Sequence, residues 1–155
     1  GQNLRPLRAR PKGSVWLAPP DYRLQTPLNI IMTFSWAQFV EIAKYLKNQG
    51  DTSKTLQEAA YRCSVSRAYY GAYRHAENYA KDTGQYVPNG IGTDHSELRI
   101  WFKNKDMAEI TRYLGRLHQW RKECDYDEPL LSITNLSQCV SDSINEAQRV
   151  IDALA

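Results

Sequence analysis

The chain has 155 residues, 24% charged and 42% hydrophobic, which suits one domain with one core and excludes a disordered polymer. Its net charge of +3 divides unevenly: residues 1–31 hold five basic residues against Asp21 alone, a net of +4, which leaves −1 for residues 32–155. That balance excludes a broad basic footprint for duplex nucleic acid over residues 32–155, while leaving room for a local basic patch.

No apolar run is long enough to cross a bilayer, and the N-terminus lacks the apolar core of a secretory signal. A cytoplasmic protein with no membrane partner is expected. Three cysteines, Cys63, Cys124 and Cys139, form no CxxC pair, which argues against a disulfide framework or a zinc site. No metal or cofactor is expected, and the cysteines read as small packed hydrophobes on helices.

Residues 1–31 contain five of the seven prolines and show no helical period. They read as a basic, proline-rich N-terminal extension, with Met32 as the expected native start. The alternative is a basic arm that packs on a partner or on nucleic acid. From residue 33 the hydrophobic period is helical. A first helix is expected over about 35–49, with Trp36, Phe39, Val40, Ala43 and Leu46 on one side, Gly50 as its stop and Asp51, Thr52 and Ser53 as caps for the next.

The second helix is expected over about 53–82. One stripe reads Val65, Tyr69, Ala72, Ala76 and Tyr79, and another Leu56, Ala60, Cys63, Arg67, Tyr70 and Arg74. Two such stripes predict a central helix with neighbours on several sides. A loop follows over 84–92. Asp94 with Glu97 reads as the capping box of a short helix over about 94–103. The next helix, about 106–125, has a stripe of Met107, Ile110, Leu114, Leu117, Arg121 and Cys124, spaced 3, 4, 3, 4, 3. Asp127-Glu128-Pro129 ends it. Asn135 with Gln138 caps a last helix over about 136–154. No segment reads as a strand. The fold class expected is all-α, an up-and-down four- to five-helix bundle.

Arg121 therefore falls in phase with a core stripe, where a guanidinium needs an acceptor. Asp125 sits four residues later, within reach on the same helix. Arg67 can approach the same region, with Tyr70 and Tyr126 lining it. Two readings stand: a buried ion-pair network that fixes helix register, or a phosphate or nucleotide site built on guanidinium groups. His118 lies one turn before Arg121 and reads as a surface histidine or a substitute proton carrier. His95 reads as a cap, a partner of Asp125 or a proton carrier. His75 has no evident constellation. The tyrosine row Tyr69, Tyr70, Tyr73 and Tyr79 reads as core more than as a base-stacking platform.

With Ser66-Arg67-Ala68-Tyr69-Tyr70-Gly71-Ala72 on the central helix, His95 opening the next and Arg121 to Tyr126 on the fourth, the chain resembles the HEPN superfamily over about residues 34–154. It is most similar to the small stand-alone bacterial and archaeal members. The resemblance implies a HEPN-like bundle of the nucleotidyltransferase substrate-binding type over residues 32–155. It further implies a homodimer with the arginine motifs facing a cleft, an RNA or nucleotide ligand, and a small nucleotidyltransferase antitoxin as a partner. Toxin–antitoxin or defence function follows from it, with metal-independent endoribonuclease activity in many members and none in others. The family's nuclease motif is an Arg followed four to six residues later by a His. Here Tyr126 and Asp127 stand where that His is expected, which puts catalysis in doubt.

The candidate catalytic residues are accordingly Arg121, Tyr126, Asp125 and His95. The candidate phosphate or nucleotide contacts are Arg67, Tyr70 and His118. A non-catalytic binding module is the alternative function, and a toxin held inactive by modification of Tyr126 is a third.

Overall fold

Among the described residues, a 28-residue helix touches every other helix. A computed structural model describes residues 34–155, which form five helices and no strand. The elements are α1 (Ala37–Thr52), α2 (Gln57–Gly84), α3 (Asp94–Asn104), α4 (Ala108–Tyr126) and α5 (Leu136–Ala153). The all-α bundle expected from the hydrophobic period is present. The N-terminal extension over residues 1–31, and Met32 as a start, lie outside the described residues.

The stripe Val65, Tyr69, Ala72 and Ala76 is buried in the core, with Tyr79 partly buried against it. The second stripe is not the other buried face of α2. Leu56 and Cys63 are exposed, and Tyr61, Ser64, Ala68 and Gly71 take that role against α1. Small residues decide the face. A Cβ on Gly71 would stand 3.0 Å from Val40 Cγ2 and 3.1 Å from the Trp36 carbonyl, so α1 approaches closely only because glycine is there. The buried Ser64 hydroxyl donates to the Ala43 carbonyl across the same contact at 2.7 Å. Cys124 and Cys139 are buried as expected, whereas Cys63 is not.

Gly50 does not stop the first helix. The helix runs through it to Thr52, and the ring of Tyr61 fills the space where its side chain would be. The Tyr61 hydroxyl then donates to Asp51 Oδ1 at 2.5 Å. Asp51 is thus a tie between α1 and α2 and not a cap. The α2 helix starts four residues later than expected.

Asp94 likewise does not cap α3, whose N-cap is Thr93. The Asp94 carboxylate accepts the N–H groups of Asn89 and Gly90 at 2.9 Å each, folding the preceding loop back on the helix start. Glu97 accepts from the Thr93 hydroxyl at 3.1 Å and from the Asn89 side-chain amide at 2.8 Å. Asn135 does cap α5: its side-chain oxygen accepts the Gln138 N–H at 3.0 Å.

The segment between α4 and α5 is organised by one side chain. Glu123, 2% exposed, accepts hydrogen bonds from the backbone N–H groups of Leu131 (2.6 Å), Ser132 and Ile133 (3.0 Å), and from the Ser132 hydroxyl. Burial pushes its carboxyl upward, but the Ser132 hydroxyl and the three amides outweigh that and hold it below the ordinary carboxylate value. Arg62 closes the same end of α4 from α2, donating to the carbonyls of Cys124 (3.1 Å) and Asp127 (2.7 Å) while held by Glu58 at 2.8 Å.

Replacing Glu123 by Gln removes the charge that three amides share. A loss of about 2–3 kcal/mol is expected from urea denaturation at pH 7. The folded-state carboxyl is depressed, so its contribution is complete above the unfolded value of about 4.3. It is lost as pH falls through the lower folded-state value, and the gap between wild type and Glu123→Gln closes in the same window.

Candidate functional site

The hydrophobic period of α4 carries Arg121 to 6% exposure, between Leu117 and Cys124 on the buried stripe. Its guanidinium carbon lies 5.3 Å from the ring centroids of Tyr69 and Tyr70 and 5.8 Å from that of Tyr126. Electron-rich ring faces attract a cation most where water is excluded. Hydrogen bonding is sparse by comparison. Asp125 Oδ2 stands 3.6 Å from Nη1, outside good hydrogen-bond range, and the Tyr126 hydroxyl accepts from Nη1 at 3.5 Å. Nε is buried and has no partner. A buried guanidinium ordinarily spends its five donors on acceptors.

Arg67, one position along α2 from the buried Ser66, reaches the same place. Its guanidinium lies 5.3 Å from the rings of Tyr70 and of Phe39 on α1. Its side-chain hydrogen bond is to the Ser66 hydroxyl at 3.3 Å, and Ser66 in turn donates to Asp125 Oδ2 at 3.3 Å. Among the described residues no carboxylate forms a salt bridge with Arg67. Two cations therefore flank Tyr70, and Asp125, more open to solvent than either Arg121 or Ser66, serves both motifs loosely.

The histidines form a second layer. His95, at the start of α3, and His118, on α4, stack with centroids 5.3 Å apart and planes at 18°. Tyr69 packs 5.5 Å from His118, and its hydroxyl hydrogen-bonds His95 Nδ1. His118 is thus not a surface histidine, and His95 faces Tyr69 instead of capping α3 or meeting Asp125. Burial, then the charges of Arg99 and neighbouring basic groups, pushes the His118 imidazole down to about 4. Burial, then Arg121, Arg99 and Arg74, also lowers His95. Both rings are neutral at pH 7. Burial raises the Tyr69 hydroxyl well above its ordinary value, against the opposing charge of Arg121, so it keeps its proton.

That proton has one acceptor among the described residues, His95 Nδ1. Tyr69 is therefore the donor, and the neutral His95 ring carries its own proton on Nε2. His95 so arranged offers a hydrogen-bond donor, and its basic nitrogen is already occupied.

The structure brings together Arg67, Tyr70, Arg121, Asp125 and Tyr126, and sets His95 and His118 beside them through Tyr69. Tyr126, at the end of α4, is 74% exposed. His75 lies apart, bonded to the Leu154 carbonyl at 3.2 Å. Sequence reasoning missed Arg62, which fixes the end of α4 where Asp125 and Tyr126 project. Glu58 four residues earlier was the available signal. It also missed the role of Tyr69, for which burial and a hydroxyl gave no spacing signature. Among the described residues no three His, Cys, Asp or Glu side chains are grouped as a metal site requires. No helix among them is long and apolar enough to cross a membrane. Comparison with protein-family models, curated proteins and solved structures returned no match.

Imidazole titration followed by NMR is expected to give His118 a midpoint near 4 and His95 one below the ordinary value of about 6.5. Nitrogen shifts in the wild type should report His95 as the Nε2–H tautomer. Tyr69→Phe should release it to a mixture; an Nδ1–H tautomer in the wild type would show that Tyr69 accepts from Nδ1 instead.

Proposed function

We propose that this chain is a HEPN-like helical protein of toxin–antitoxin or defence type, whose Arg67–Arg121 site binds the phosphate of an RNA or nucleotide. One observation carries the reading. Arg121 is buried with an unpartnered Nε and its nearest carboxylate at 3.6 Å, beside a second arginine that no carboxylate bridges. A buried ion-pair network built for stability would close those contacts, because an incompletely paired buried charge is costly. A phosphate supplies the missing acceptors, and guanidinium meets it with parallel charge-assisted hydrogen bonds.

The residues divide the work. Tyr69 and Tyr70 hold the Arg121 guanidinium in place through their ring faces. Ser66 and Asp125 orient the two arginines without neutralising either at close range. His95 offers Nε2–H as a further donor, and the Tyr126 hydroxyl stands at the solvent edge. In this reading the protein works as a homodimer with a small nucleotidyltransferase as its partner.

The stacked histidine pair beside the arginines favours a second reading, metal-independent endoribonuclease activity. In that reaction the RNA 2′-hydroxyl attacks the adjacent phosphorus and the P–O5′ bond breaks. A 2′,3′-cyclic phosphate and a 5′-hydroxyl result. One group must take the 2′ proton and another must protonate the departing O5′. Neutral His118 can accept the first, and His95 can supply the second once protonated at Nδ1, with Tyr69 turned from donor to acceptor. The depressed imidazole values leave little of the protonated form at pH 7, so cleavage by this route rises as pH falls below neutrality.

Anisotropy of a labelled single-stranded RNA tests the binding. Arg121→Ala, first shown to be folded, is expected to weaken it about 10–100-fold. Phosphate binding is also expected to raise the NMR midpoints of His95 and His118, since an anion beside them favours the charged ring. Equal binding by wild type and Arg121→Ala would remove the site from consideration. Cleavage in EDTA that is lost in Arg121→Ala, with Tyr126→Phe beside it, would promote the nuclease reading over the binding one.

A further inference from the structure

A cavity of about 750 Å³ lies between the start of α2, the segment that follows α4 and the start of α5. Its floor is apolar: Tyr61 belongs to the core, and Leu130, Ile133 and Leu136 pack against it. A second hollow of about 430 Å³ adjoins it over Thr55 and Ala59, and the two share Glu58, Arg62 and Glu128. Together they form one elongated trough. Leu56 and Leu131, each next in the chain to a lining residue, are 61% and 77% exposed, so apolar surface continues past its edges.

The rim of the trough is acidic. Among the described residues Arg62 is the one cation lining either hollow, and it is turned inward, onto the carbonyls of Cys124 and Asp127. Its side chain is 19% exposed, that of Glu58 68%. Arg62 Nε and Nη2 both donate to Glu58 Oε1, at 3.0 and 2.8 Å, which leaves Oε2 without a hydrogen-bond partner among the described residues. Glu128 is exposed and forms no ion pair with any of them. Two carboxylates thus stand over an apolar floor with no cation turned toward their open sides. A wholly apolar occupant would strip water from them without replacing it, and an anionic one would be repelled. The elongated shape suits a chain more than a compact molecule. Alternate side chains of an extended segment turn to the floor, and long basic side chains among the rest reach the rim.

We propose that this trough docks an extended segment of a protein partner, one that interleaves apolar side chains with arginine or lysine. The apolar side chains lie on Tyr61, Ile133 and Leu136, and the cations pair with Glu58 and Glu128. The surface is separate from the phosphate site and does not depend on it. Arg62 links the two, because it also holds the end of α4 from which Asp125 and Tyr126 project. A partner seated in the trough therefore rests against the residue that sets that end.

Selection from a phage-displayed library of random short peptides, with the full chain as bait, tests the chemistry of the occupant. Enriched peptides are expected to carry net positive charge and alternating apolar residues. Anisotropy of one such peptide, synthesised with a fluorophore, is expected to show binding at least about tenfold weaker for Glu128→Lys and for Thr134→Arg. Both are exposed lining positions, so the fold is expected to survive either change. Binding should weaken as salt is raised. Amide shifts on titration with the peptide should cluster in residues 55–62 and 128–137. Arg121→Ala, which removes the phosphate site, should bind the peptide as the wild type does.

The docking surface is overturned by a selection that enriches nothing, by one that enriches acidic or uncharged peptides, or by equal peptide binding in the wild type and both trough variants. Sedimentation supplies the remaining outcome. A wild type that runs as a dimer and a Thr134→Arg variant that runs as a monomer, with no peptide present, would give the trough to a second copy of this chain instead.

Discussion

Burying the guanidinium of Arg121 dictates most of what surrounds it. A cation out of water needs compensation, and here ring faces supply more of it than hydrogen bonds do. The tyrosines must therefore sit where they do, which fixes the rotation of α2 against α4. Burial first, and the positive field of the arginines after it, makes a charge on the nearby imidazoles costly, so His95 and His118 stay neutral and can stack on one another. Neutral His95 in turn can accept the Tyr69 proton. Arginine, tyrosine and histidine form one electrostatic unit in which each state depends on the other two.

The C-terminal end of α4 keeps that unit in register. Arg62 caps its carbonyls from α2, and Glu123, two residues from Arg121, gathers the chain that leads to α5. Both are buried or half-buried charged groups that bind backbone atoms as well as one side chain each. They set where α4 ends, and hence where Asp125 and Tyr126 leave the helix.

The bundle was legible because burial follows a period. The 3-4 spacing of α4 alone places Arg121 inside, and the Asn135 cap is a local signal that context does not override. What failed to show was chemistry set by distant neighbours. Gly50 resembles a helix stop until Tyr61 is seen to fill its place. Asp94 and Asp51 resemble caps, but each has a partner with a stronger claim, loop amides for one and a tyrosine hydroxyl for the other. The stripe through Leu56 and Cys63 is apolar in letters, yet α1 packs on the smaller residues next to it. The arginines were visible as anomalies. The missing acceptors around them were not, since spacing places side chains without counting their bonds.

The carboxylate of Glu123 holds the chain after Pro129 through main-chain amides, which every residue but proline possesses. The side chains of Leu131 and Ile133 are incidental to that grip. Leu131 can therefore change freely while the path stays the same, whereas Ser132, whose hydroxyl shares the carboxylate, and the single position on α4 cannot. Across a lineage much of the record of the loop's form would be carried by a residue eight positions away from it.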